Sequence, residues 1–219
     1  MSKRSYFAIS LFFCLSLFST VSLEACGSDA GCSDALGCVV ISPGDPILIG
    51  IESITAGEDI AASKEVNRGA AIAVENLRIL DHPVRVFTVQ STCLPIQSQA
   101  SAAAITSQPK IIAALGPACP LYADVTKKFF SDAGISLIDP AALQFDLSRE
   151  LEFNEIYVSS YGKHPSGTIA YQAYRAVLFI AQQAQSTVID KGETIVFHRS
   201  LLNENLQQIL VNSTPHMTP

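Results

Sequence analysis

Apolar and polar positions divide the chain into segments of different period. Ile111–Leu115 and Ile135–Ile138 are apolar with almost no alternation, as in strands buried on both faces of a parallel sheet between helical layers. Between them the turn Gly116-Pro117-Ala118-Cys119 leads into a helix. Val125, Phe129 and Phe130 give that helix an apolar face, and Gly134 supplies a left-handed stop. Strand, loop, helix and strand make one βαβ unit. The second strand ends in another small-residue turn, Asp139-Pro140-Ala141-Ala142. In open α/β sheets ligands bind at such carboxyl ends.

The flanking segments extend the alternation. Ile47–Ile51 reads as a first strand, followed by a loop over Glu52–Ala62 and a helix to about Ile79, with Val66, Ala70, Ala73, Val74 and Leu77 on one face. After Asp81-His82-Pro83, Val84–Val89 alternates as a strand near the sheet edge. Leu94–Ser107 is a helix of small residues in which Ile96, Ala100, Ala103 and Ala104 face inward, ended by Gln108-Pro109. Beyond Asp146 the pattern turns helical over Glu150–Tyr161 and Ser166–Gln185, the latter with Ile169, Ala173, Ala176, Val177 and Ile180 as its buried stripe. Thr194–Phe197 fits a short strand, and Leu201–Leu210 a final helix with Leu202, Leu206 and Ile209 inward. Residues 213–219 read as a frayed tail. The fold class is α/β, a three-layer α/β/α Rossmann-like parallel sheet.

The length of 219 residues allows a substantial core in one domain with appendages. A net charge of −6, with 14 basic residues and no basic run beyond Lys127-Lys128, argues against nucleic acid as a partner. Residues 1–25 have the form of a signal peptide: Lys3 and Arg4, then an apolar stretch over Phe7–Val21, then Leu23-Glu24-Ala25-Cys26. Leu-x-Ala-Cys resembles the bacterial lipobox, which implies that Cys26 is lipidated; ordinary secretory cleavage and a retained anchor are the alternatives. Residues 26–46, rich in Gly, Ser and Asp, read as a flexible tether that a disulfide between Cys32 and Cys38 could pin. Once Cys14 leaves and Cys26 is acylated, Cys32, Cys38, Cys93 and Cys119 remain, an even number in an oxidising compartment. The four histidines stand singly and there is no Cys-x-x-Cys, so no metal site is expected.

Several features occur in one order: a first strand whose loop carries Gly57, the helix with Asn67-Arg68-Gly69-Ala70-Ala71-Ile72-Ala73-Val74, Cys93 after the second strand, and Ala114-Leu115-Gly116-Pro117-Ala118-Cys119-Pro120. Together they resemble the N-terminal lobe of the type 1 periplasmic binding proteins, the leucine/isoleucine/valine-binding branch of ABC importer receptors. Phe153-Asn154-Glu155-Ile156-Tyr157, Tyr161-Gly162-Lys163-His164-Pro165 and Ala170-Tyr171-Gln172-Ala173-Tyr174 continue the likeness. It implies a lobe over residues 47–212 and a Cys93–Cys119 disulfide. The family's second lobe, which would be inserted near Asp146–Leu151, is missing.

The resemblance implies an extracytoplasmic, periplasmic or cell-surface lipoprotein that binds a small amino or carboxylic acid for an amino-acid ABC importer, or a truncated relative of one. An ABC permease or a chain supplying the second lobe is the protein partner it implies, with membrane contact through the lipid anchor alone and no cofactor. Solute is expected at the carboxyl edge of the sheet, at Ser53, Thr55 and Gly57, at Ala118, Cys119 and Pro120, and at Ala141, Ala142 and Leu143. The free N–H groups of a helix starting at Pro120 would receive a carboxylate. The chain departs from the family at Pro120 and Leu143, where the family supplies hydroxyls, and Gly116–Pro120 reads equally as a tight turn closed by a disulfide. An open single lobe would bind on the order of millimolar.

A surface interaction module that keeps the fold without transport, and covers the lost interface by self-association or a protein partner, is the alternative function. An enzyme is not expected. The chain has no phosphate loop, dinucleotide fingerprint or nucleophile elbow, and Glu58 and Asp59 beside Ser53 and Thr55 read as helix-capping carboxylates. Lipidation is expected to hold the protein on a membrane, so Cys26→Ser should move it to the soluble fraction on ultracentrifugation. Unchanged sedimentation with membranes would contradict an anchor at Cys26.

Overall fold

The computed structural model describes residues 32–116, 118–143 and 147–212, without the side chains of 147 and 209–212. The signal peptide, Cys26, Pro117, the inward placement of Ile209 and the tail 213–219 lie outside that description. The elements in order are β1 (Cys38–Ile41), β2 (Ile47–Ile54), α1 (Ile60–Val74), β3 (Arg78–Ile79), β4 (His82–Ser91), α2 (Pro95–Thr106), β5 (Ile111–Leu115), α3 (Ala123–Asp132), β6 (Ser136–Ile138), α4 (Glu150–Tyr161), α5 (Ile169–Thr187), β7 (Ile189–Asp190), β8 (Ile195–His198) and α6 (Arg199–Asn212).

The main sheet has the order β3-β4-β2-β5-β6. Its strands β4, β2, β5 and β6 run parallel, and the short β3 is antiparallel to β4. All of β5 is buried, as its unbroken apolar run requires. A register shift between β2 and β5 turns both Ile112 and Ala113 to one core, while Ile111 and Ala114 pack in the other. Ile47, Ile49 and Ile51 of β2 join Ala70, Ala73 and Val74 of α1 and Ala173, Ala176, Val177 and Ile180 of α5 on one face of the sheet. Ala102 and Ile105 of α2 and Phe130 of α3 cover the other. This is the α/β/α layering expected from the sequence.

Helices α1 and α5 cross very closely. A Cβ placed on Gly69 would stand 1.9 Å from the Ala170 carbonyl oxygen, so only glycine allows this approach. Helix α4 is fastened to α1 by a buried polar knot. The Tyr157 hydroxyl donates to Glu65 Oε2 at 2.6 Å, and Arg68 Nη1 donates to Glu65 Oε1 at 3.2 Å and to the Tyr157 oxygen at 3.0 Å. The Arg68 guanidinium also lies 4.9 Å from the centre of the Tyr161 ring. Burial, reinforced by the hydrogen bond to Glu65, raises the Tyr157 phenol above its ordinary value.

Three expectations are corrected here. Residues 26–46 are not a tether throughout: the compact unit begins at Ser33, and β1 pairs antiparallel with β8 in a second sheet, β1-β8-β7. Val39 and Ile41 point into the main core, which explains a short apolar run inside an otherwise polar stretch. Asp34 extends the attachment, accepting from the Ser200 N–H and hydroxyl at the start of α6. Against the effect of burial, those bonds and the Leu36 N–H hold its carboxyl below the ordinary value.

The second correction is that α1 ends at Val74 rather than Ile79, because Arg78–Ile79 turns back on His82–Pro83 through Leu80, whose φ is +51°. The third concerns α2, whose buried residues are Ser98, Ser101, Ala102 and Ile105, while Ile96 is 73% exposed. With Ala and Ser on every side, the helix lacks the apolar contrast that fixes a face from sequence.

If β1 is part of the core, Ile41→Ala should destabilise the protein by about 2 to 5 kcal/mol, as for other fully buried aliphatic truncations. Urea unfolding followed by circular dichroism checks it; a loss below about 0.5 kcal/mol, the range of surface substitutions, would return β1 to the tether.

Candidate solute site at the carboxyl edge of the sheet

A cavity of about 540 Å³ opens where β2, β5 and β6 end. Ile51 and Glu52 of β2, Leu115 and Gly116 after β5, and Leu137 and Asp139 at the end of β6 form its base. Asp59, Ala62, Ser63 and Val66 of the α1 end form one wall, and Ala118, Pro120, Ala123 and Lys127 another. Pro140, Ala141, Ala142 and Ile169 complete it. The doubly wound order of the strands creates this crevice, since α1 and α3 leave the sheet on opposite faces.

Of the residues expected at the site, Ala118, Pro120, Ala141 and Ala142 line the cavity, whereas Ser53, Thr55, Gly57, Cys119 and Leu143 do not. The two hydroxyls are used locally. Ser53 Oγ accepts from Asn67 Nδ2 at 3.2 Å, and Thr55 Oγ1 donates to the Ser91 carbonyl at 3.1 Å. Gly57, at φ +101°, shapes the loop between β2 and α1. Leu143 is 4% exposed and packs in the main core, so it cannot form an apolar wall for a ligand.

The carboxylate-binding helix start is also altered. Pro120–Tyr122 is a single 3₁₀ turn ahead of α3, in which the Tyr122 N–H donates to the Cys119 carbonyl and the Ala123 N–H to that of Pro120. Pro120 has no N–H, and the Ala141 N–H donates to Asp139 Oδ1 at 2.9 Å. Tight turns have therefore consumed donors that a solute carboxylate would otherwise meet.

Cys93 and Cys119 form a disulfide with Cα atoms 5.4 Å apart. It ties the residues before α2 to the turn that places Ala118 and Pro120 in the cavity wall. Cys93 has a φ of +56°, a conformation that a cysteine holds only when its surroundings impose it. Cys32 and Cys38 are also disulfide-bonded.

Glu52, Asp59, Ser63, Lys127 and Asp139 were not among the expected site residues. Glu52 follows directly on Ile51, and Asp139 on Ile138, so the carboxyl-edge rule pointed at both. Asp59 sits at the N-cap of α1, yet its side chain makes no capping hydrogen bond and faces the cavity. A second cavity, of about 260 Å³, lies between α4 and α5 and is lined by Arg149, Phe153, Tyr171 and Arg175 among others.

No family model and no curated protein matches this chain. Solved structures do. The substrate-binding protein LivJ of a branched-chain amino-acid transporter, from Streptococcus pneumoniae and in complex with isoleucine, superposes with a TM-score of 0.58 at 12% identity, covering 74% of this chain and 88% of that one. The leucine-binding protein LivK from Thermotoga maritima gives 0.50 at 12% identity, covering 73% and 87%. The chain has the periplasmic-binding-protein fold. In that fold it forms one lobe. No helix among the described residues of the lobe is long and apolar enough to cross a membrane.

The disulfide should contribute about 3 to 4 kcal/mol by restricting the unfolded chain, given its sequence separation of 26. Replacing Cys93 and Cys119 together with serine should lower the urea midpoint accordingly. A double variant as stable as the parent would show that the link does not hold these turns.

Proposed function

We propose that the chain is an extracytoplasmic solute-binding lobe of the amino-acid importer type, or a truncated relative, that receives a small amino or carboxylic acid in the carboxyl-edge cavity. The observation that carries the reading is the position of that cavity. It lies at the strand-order reversal where this architecture places ligands, and it is lined by both signs of charge, with Lys127 among carboxylates. Its volume of about 540 Å³ falls in the range of small-molecule pockets. LivJ and LivK, whose fold the chain shares, are named for branched-chain amino acids and leucine.

Solute would be covered on one side only, so affinity is weak, on the order of millimolar and about 4 kcal/mol. A permease and a second-lobe chain are the partners this role calls for, and lipid on Cys26 would keep the lobe at the membrane that holds them.

Thermal-shift titration of the purified protein with the common amino acids and small carboxylic acids tests the reading. A melting temperature that rises saturably between about 1 and 30 mM of at least one solute is expected. No shift with any of them would contradict it.

A further inference from the structure

Glu52 is a buried carboxylate without a counter-ion. It is 8% exposed, lies on β2 within the sheet, and belongs to no ion pair among the described residues. Among the described residues its side chain has one hydrogen bond, from the Ser101 hydroxyl of α2 to Oε1, at 2.6 Å. Oε2 takes no hydrogen bond among the described residues, and the residue lines the cavity.

Ser91, at the end of the neighbouring strand β4, and Ser98, one turn ahead of Ser101 on α2, are buried at 2% and 0% exposure, and both hydroxyls lack hydrogen-bond partners among the described residues. Asp59 and Asp139 line the same cavity, and Lys127 is its only lining cation among the described residues. Lys127, on α3, forms no ion pair with any of the three carboxylates among the described residues.

We infer that Glu52 is the specificity-determining residue of the cavity and that it receives the ammonium group of the solute, so that this lobe selects amino acids and amines over simple carboxylic acids. An ammonium brings three donors and a full positive charge, and so satisfies the free acceptor positions of Glu52 while neutralising it. Lys127 is then the group left to meet a carboxylate at the other side of the cavity. The tight turns at Pro120 and Ala141 point the same way, because the Tyr122, Ala123, Ala141 and Ala142 N–H groups already have acceptors within the turns. The inference rests on the solute-binding reading and narrows it from acids in general to cations and zwitterions.

Three matched probes separate the two: L-leucine, L-leucinamide, which keeps the ammonium and loses the carboxylate, and N-acetyl-L-leucine, which does the reverse. Thermal-shift titrations on the parent protein and on Glu52→Gln give the comparison. The glutamine still accepts from Ser101, so α2 stays in place and the ligand-free variant should melt at the same temperature or higher. In the parent protein leucine and leucinamide should bind about tenfold or more tightly than N-acetyl-leucine, and Glu52→Gln should weaken both by about tenfold or more.

N-acetyl-leucine binding as well as leucine, or a Glu52→Gln variant that binds leucine as the parent does, overturns the inference and leaves the solute-binding reading intact. Silence toward leucine and leucinamide overturns it too. Silence toward every solute in the wider screen removes the solute-binding reading with it.

Discussion

The lobe depends on how closely α5 can lie on α1. At Gly69 the two helices meet backbone to backbone, with room for a hydrogen and not for a methyl group. Alanines on both sides of the crossing, Ala70 and Ala73 on α1 and Ala173 and Ala176 on α5, are fully or almost fully buried. The contact joins distant parts of the sequence, so the loop-closure entropy of the intervening chain must be repaid by dense packing. It also sets the cavity, since Ser63 and Val66 come from α1 and Ile169 from the start of α5.

From this crossing follows a lobe complete in itself. The polar knot of Glu65, Arg68 and Tyr157 pins α4 to α1. The antiparallel pair β1-β8 brings the N-terminal strand beside the last one, with Val39, Ile41, Ile195 and Phe197 in the main core. The apolar residues of β5 and of the α5 stripe are buried without a second lobe, except Ile169, which is half-buried and lines the cavity. What stays uncovered is the carboxyl edge, where Ile96 and Leu121 are 73% and 82% exposed at the starts of the elements that follow β4 and β5.

The sheet was legible because its strands are apolar runs bounded by Gly and Pro, and α5 because Ala, Val and Ile recur at helical spacing. β1 was not, since Val39-Val40-Ile41 is too short to stand out between Gly37 and Pro43 and its partner β8 lies far along the chain. α2 was misoriented because Ser and Ala give no contrast between faces. At the site, the edge and its two small-residue turns could be read from topology. The contacts could not, because Ser53 and Thr55 look like ligand hydroxyls until the local partners Asn67 and Ser91 are seen to occupy them. Glu52 is hard to see in the sequence because the apolar run ends at Ile51, three residues before the strand does, which places it in a solvated loop instead of in the sheet.

The proposed site lies at the open carboxyl edge of this lobe, where Glu52, Asp59, Asp139 and Lys127 line one cavity. The central claim is that solute binds at the ends of β2, β5 and β6, not in the α4–α5 cavity. Backbone amide shifts mapped on ¹⁵N-labelled protein, at an amino-acid concentration well above millimolar, test it most directly. The account predicts shifts centred on Glu52, Gly116, Ala118 and Ala141. Shifts centred on Arg149, Phe153 and Arg175 would contradict it.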